Sequence, residues 1–321
     1  MSLPRVFVAN PQIPKIAHDM LQNVATVVTT AGFDKKSILE GIKGADALLW
    51  PGRIKLDKEV LDAAGPQLKV VGAMSAGYNH IDLSELKARG IKLGNASPAL
   101  GNTVADMAIL LALAAARRFT EGRKHMEEGT WSKQFNPRWM MGQDVADSTI
   151  GIIGLGSIGQ AIAKRMKAFD VGRIIYVGRS EKKEGKELGA EYVTLDTLIK
   201  ESDFIFVAAP LDDNTRHMCN ASFFAKMKKT SVFVNVSRGE LVDQDALIKA
   251  LKTNQIFAAG LDVMTPEPIN PDNELLRLPN AVLTPHIASS TEKTRIAMAK
   301  WTAENIIRGL KGEELLTPVQ L

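Results

Sequence analysis

Three glycines at G-x-G-x-x-G spacing, in Gly154-Leu155-Gly156-Ser157-Ile158-Gly159, form the first pattern in this chain whose residue types and separations can do chemistry. Each glycine answers a different need. Gly154 suits a tight turn, Gly156 lets backbone approach a pyrophosphate, and Gly159 lets a helix pack closely on its strand. Free amides at the start of that helix would hold the phosphate charge. An apolar run from Thr149 leads into the motif, a helical segment over 160–169 follows, and a strand over 174–177 completes a βαβ unit.

The end of that second strand says which dinucleotide to expect. A ribose 2′-hydroxyl is usually held by Asp or Glu about 20 residues past the glycines, whereas a 2′-phosphate calls for a cation. Here the strand runs into Gly178-Arg179-Ser180, with no carboxylate until Glu181. Arg179 can fork its guanidinium onto a phosphate and Ser180 can donate a hydroxyl. NADP(H) is therefore the expected cofactor, with NAD(H) possible if Arg179 is only a solvated loop residue.

The elements that carry these residues follow from hydrophobic patterning. Short β-branched runs over 6–9, 24–29, 47–50 and 69–73 alternate with helical segments, which implies a parallel sheet covered on both faces. A helix is expected over 102–118, capped at Asn102 or Thr103 and apolar nearly all round, so buried at a boundary. Residues 121–147 read as a polar, irregular arm carrying Trp131, Phe135, Trp139, Met140 and Met141. Further strands are expected near 204–208, 232–236, 257–261 and 281–283, then an amphipathic helix over 290–310.

At 321 residues the chain suits two domains of about 150 each. Its 45% apolar and 24% charged content is that of an ordinary globular protein. The basic residues behind the net charge of +4 are scattered, which argues against nucleic acid. The single cysteine, Cys219, can form no internal disulfide and points to a reducing compartment. The start MSLPRVFVAN lacks a secretory core, and the longest apolar run, 107–116, falls short of the roughly 20 residues that span a bilayer. A cytoplasmic protein with no membrane partner is expected. His18, His80, His125 and His217 lack metal-ligand spacing, so no metal site is read.

Three more segments join the glycine motif: FVNVSRG over 233–239, LDVMTPEP over 261–268, and TPHIAS over 284–289. With LKVVGAMSAGYNHIDL and GIKLGNASPA upstream and AAPLDDNTRHM between, the chain resembles the D-isomer-specific 2-hydroxyacid dehydrogenases along essentially its whole length. Within that family it most resembles the glyoxylate and hydroxypyruvate reductases. The resemblance implies two doubly wound α/β parallel-sheet domains with an interdomain cleft. A flavodoxin-like substrate domain would span 1–103 and 290–321, and a Rossmann dinucleotide-binding domain 104–289. A dimerisation arm is expected over 119–147 and a homodimer as the assembly.

The resemblance also implies roles. Arg238 becomes the substrate-binding arginine, His286 the acid/base and Glu267 its partner. Ala76 and Gly77 would hold the substrate carboxylate through backbone amides, Ser289 would lie near the substrate, and Trp139 would cap a neighbour's pocket. Pro210, Val236 and Asp262 would border the cofactor. The chemistry is coherent without the family. A guanidinium can grip the carboxylate of a 2-oxo acid and polarise its ketone. A histidine backed by a carboxylate can supply the proton that the reduced oxygen needs. The alternatives are an NAD-dependent enzyme of phosphoglycerate or D-lactate type and a nucleotide-sensing, co-repressor-like binding protein. Formate-dehydrogenase-like relatives carry glutamine where Glu267 stands.

Overall fold

The computed structural model describes residues 3–52, 54–131 and 136–321. The chain divides into two compact units, 1–100 with 290–321, and 101–289. The division falls at 100/101, where sequence placed it at 103/104.

In the first unit, β1 (Arg5–Val8), β2 (Thr26–Thr29), β3 (Ala47–Trp50), β4 (Val70–Ala73) and β5 (Lys92–Gly94) form one parallel sheet in the order β2-β1-β3-β4-β5. β3 and β4 are buried along their whole length, as unbroken apolar strands covered by helices should be. Asp34, Asp57 and Asp82 cap the helices that follow, each accepting from an amide in the first turn. The last helix, Glu292–Lys311, returns to pack on β3, β4 and the helix Lys15–Gln22.

In the second unit, β6 (Thr149–Ile153), β7 (Arg173–Val177), β8 (Ala190–Tyr192), β9 (Phe204–Val207), β10 (Val232–Asn235), β11 (Ala258–Leu261) and β12 (Ala281–Leu283) form a seven-stranded parallel sheet. Its order, β12-β11-β10-β9-β6-β7-β8, reverses direction between β6 and β9. That is the switch point at which open α/β sheets bind ligands. The helix Gly101–Ala116 lies against β10, β11 and the helix Ser157–Met166.

Two expectations need correcting. The boundary helix starts at Gly101, so Asn102 and Thr103 sit inside its first turn rather than capping it; the Asn102 side-chain oxygen instead accepts from Arg165, which also pairs with Asp106 at 2.6 Å. The arm begins as a regular helix, Phe119–Glu127, and not as irregular chain. Pairs three and four residues apart, Arg118 with Glu121 and Arg123 with Glu127, support a segment whose polarity had read as loop. Phe135 lies outside the described residues.

Candidate active site

All seven strands of the second unit run the same way, so their C-terminal ends share one edge, and the chemistry-bearing residues sit there. β6 leads into Gly154 at φ +95°, where a Cβ would lie 2.8 Å from the backbone of Ala209 beyond β9. A Cβ on Gly159 would lie 2.1 Å from the Gly154 carbonyl. Only glycine permits either contact. Among the described residues, no atom beyond its chain neighbours comes within 4 Å of a Cβ position at Gly156, and no side chain caps the helix Ser157–Met166 that begins next. Closed behind and open in front, this turn fits the pyrophosphate of a dinucleotide, which Leu155 to Gly159 would hold through backbone.

β7 delivers Gly178, Arg179 and Ser180, all exposed. The Tyr192 hydroxyl donates to the Gly178 carbonyl at 3.1 Å and shapes this turn. Arg179 makes no ion pair or hydrogen bond among the described residues. Pro210 is exposed just beyond β9, while Val236, just beyond β10, is 6% exposed.

β10, β11 and β12 are neighbours in register, Asn235 beside Leu261 beside Leu283. Stopping level, they release the loops of Arg238, Glu267 and His286 side by side. The Glu267 Oε2 lies 2.6 Å from His286 Nδ1. Nδ1 therefore donates to the carboxylate, and Nε2 has no partner among the described residues. The other Glu267 oxygen accepts from the Met264 amide at 3.0 Å. Burial, the largest influence on this carboxyl, pushes its pKa up. The His286 bond and charge, the Met264 amide and the Arg238 charge together outweigh it and hold the group below its ordinary 4.5.

Arg238 is half-buried, and its Nη1 donates to the Ser237 carbonyl at 2.8 Å. Burial lowers the pKa of this guanidinium, against the charges of Glu267 and Glu240, which raise it. Its turn is folded around Asn235, fully buried, whose amide donates to the Arg238 carbonyl at 2.8 Å and whose oxygen accepts from the Ser237 amide at 3.0 Å. Sequence reading passed over Asn235, although a lone polar residue in the apolar run VFVNV was a usable signal. Gly239 and Gln244 gave none. A Cβ on Gly239 would lie 2.0 Å from the Met264 carbonyl, so the loops of Arg238 and Glu267 touch there. Gln244 grips the Thr265 backbone, donating to its carbonyl at 2.6 Å and accepting from its amide at 3.0 Å.

Asp262 differs from expectation. Read as a cofactor contact, it is 0% exposed, and its carboxylate accepts from the Thr284 hydroxyl at 2.7 Å and from the Ile287 and Ala288 amides at 2.9 Å each. Its own carbonyl accepts from the His286 amide at 2.8 Å. His286 adopts φ +53°, uncommon for a side chain-bearing residue, and Asp262 fastens the turn on both sides of it. The observed work of Asp262 is to hold the histidine.

Ser289 is half-buried after the same turn. Trp139 packs edge-on against His125, ring centres 5.4 Å apart, within its own arm. Ala76 and Gly77 follow β4 in the first unit, half-buried. Cys219 is buried and burial pushes its thiol pKa up, so it is unreactive packing. Among the described residues no helix is long and apolar enough to cross a membrane, and no group of three or more His, Cys, Asp or Glu is placed to hold a metal.

A parallel sheet with a glycine turn at its switch point and an imidazole–carboxylate pair on the same edge defines a Rossmann-type oxidoreductase. Residues 109–288 match the family model "D-isomer specific 2-hydroxyacid dehydrogenase, NAD binding domain", and the chain belongs to that family. It is 44% identical over 288 residues to the glyoxylate reductase/hydroxypyruvate reductase of Mus musculus, covering 89% of this chain and 88% of that protein. It is 42% identical to the glyoxylate reductase of Pyrococcus horikoshii, over 97% of this chain and 94% of that one. Among solved structures, the NADPH-dependent glyoxylate/hydroxypyruvate reductase of Sinorhizobium meliloti, in complex with NADP and malonate, superposes with a TM-score of 0.87 at 32% identity, covering 99% of this chain and 97% of that one.

Proposed function

We propose that this protein reduces glyoxylate or hydroxypyruvate to glycolate or D-glycerate with NADPH. The observation that carries the reading is the 2.6 Å pair of His286 and Glu267 at the strand edge that also bears Arg238 and the glycine turn. The bound dinucleotide supplies the hydride. Arg238 grips the substrate carboxylate and draws electron density from the ketone. His286 gives the proton on Nε2 to the carbonyl oxygen as charge grows there, a role worth roughly 10² to 10⁴ in rate. Glu267 holds the other proton on Nδ1 and offsets the positive charge of the acid. The Ala76 and Gly77 amides of the first unit hold the substrate carboxylate, and Ser289 lies near it.

Preference for NADPH is supported by Arg179, exposed beside Ser180 with no protein partner among the described residues. A homodimer is supported by the exposed apolar residues Leu110, Phe119, Met126, Trp131 and Met141, which lie on the boundary helix and the arm. In such a dimer Trp139 caps the neighbouring substrate pocket. A single buried cysteine fits a reducing compartment, the cytoplasm. The test follows NADPH and NADH absorbance with glyoxylate, hydroxypyruvate, pyruvate and phosphohydroxypyruvate. Fastest turnover is expected with the first two and NADPH; steady absorbance across the panel would end the reading.

A further inference from the structure

The loop after β4 has an uneven hydrogen-bond pattern. Its carbonyls are all taken: Ser75 O accepts from the Ala96 amide at 2.9 Å, Ala76 O from the Asn95 side-chain amide at 3.0 Å, and Gly77 O from the Ser75 hydroxyl at 2.7 Å. The amides of Ala76 and Gly77 donate to nothing among the described residues. These facts are linked by covalent geometry. A peptide unit is planar and trans, so its C=O and the N–H of the next residue point in opposite directions. Drawing Ser75 O toward Ala96 turns the Ala76 N–H the other way, and drawing Ala76 O toward Asn95 does the same for Gly77.

Both clamps come from the two residues just past β5, and Asn95 is itself held on its other side. Its carbonyl accepts from the Thr317 hydroxyl at 2.6 Å and from the Asn305 amide at 3.2 Å, and its N–H donates to Thr317 O at 3.2 Å. Asn305 is 0% exposed; beyond Asn95 it accepts from the Thr317 amide at 3.1 Å and donates to the Thr317 hydroxyl at 2.8 Å and to the Trp301 carbonyl at 3.0 Å. A satisfied buried network of this kind fixes one geometry. The side-chain oxygen of Asn95 accepts from the Ser97 amide at 3.3 Å, which sets the rotamer that aims its NH₂ at Ala76.

We propose that Asn95, anchored by Asn305 and Thr317, is a positioning residue for substrate recognition: it orients the Ala76–Gly77 peptide so that the Gly77 N–H joins that of Ala76 in facing the substrate carboxylate, with Ser75 pinning the next peptide. The inference rests on the reading of these amides as the carboxylate holders. Asn95 touches no substrate itself. Removing its side chain frees the Ala76 peptide to rotate, which weakens carboxylate binding without touching the proton donor or the dinucleotide turn.

The experiment is steady-state kinetics of Asn95→Ala and Ser75→Ala with glyoxylate, alongside fluorescence titration of NADPH. Asn95→Ala is expected to raise KM about tenfold, the scale of one hydrogen bond to a charged group, with kcat at saturation within about twofold of wild type and NADPH affinity unchanged. Ser75→Ala, which loses only a hydroxyl, is expected to raise KM by a smaller factor and serves if the first variant fails to fold. Unchanged KM in both folded variants, or a fall in kcat with KM constant, would overturn the role of Asn95 while leaving the proposed reaction standing. Wild-type protein inert toward glyoxylate and hydroxypyruvate alike would remove the reaction instead.

Discussion

Replacing Glu267 with glutamine removes a charge while keeping the chain length and a polar head within reach of His286. In the wild type the two side chains are 2.6 Å apart and 34% and 45% exposed, so solvent screens the pair only in part. Opposite unit charges about 4 Å apart attract by about 4 kcal/mol at an effective dielectric of about 20. Exposure on this scale reduces that to about 1–2 kcal/mol, or roughly 5- to 30-fold in rate. The carboxyl is held below its ordinary 4.5. A depressed carboxyl stabilises the pair fully above that ordinary value, and the contribution is lost as pH falls through the lower, folded value. Glu267 is therefore ionised over the whole neutral range. Reduction by Glu267→Gln, followed through NADPH absorbance, should be slower by roughly 5- to 30-fold at pH 8. The gap should close as pH falls through the lowered carboxyl value, where Glu267 of the wild type is itself neutral. A deficit of equal size at every pH, or none at all, would refute the idea that Glu267 acts through its charge.

Other outcomes follow from the same geometry. Arg179→Asp should weaken NADPH at least about tenfold, by loss of a charge-assisted contact, and leave NADH nearly unchanged in fluorescence titrations; equal shifts for both would show that Arg179 reads no phosphate. Gly159→Ala forces a methyl against the Gly154 carbonyl and should lower stability to denaturant by about 1–3 kcal/mol while abolishing dinucleotide binding. An unchanged denaturation midpoint would show that the turn has room to spare. Asp262→Ala strands the Thr284 hydroxyl and two amides, for which about 2–4 kcal/mol of lost stability is expected, with kcat falling more than KM rises; native kinetics would mean that His286 keeps its place unaided.

Composition and order along the chain determined a good deal unaided. Alternating strands and helices required parallel sheets, because each apolar strand such as VFVN or ALLW needs cover on both faces. The glycine spacing marked the phosphate turn, because only glycine lacks the Cβ that Gly154 and Gly159 have no room for. The absence of a carboxylate at 178–180 suggested the cofactor, and three short segments matched a family. What the chain could not announce was the support behind those residues. Asp262 sits on a strand end like any cofactor contact, and only the fold showed its carboxylate enclosed and spent on the His286 turn. The helical start of the arm was hidden because ion pairs along an exposed helix and a polar loop share one composition. Asn95 and Asn305, 210 residues apart, carry no local mark at all. Local patterns record what each stretch prefers by itself, whereas a hydrogen bond between distant segments exists only once β-sheet order and helix packing have brought them together.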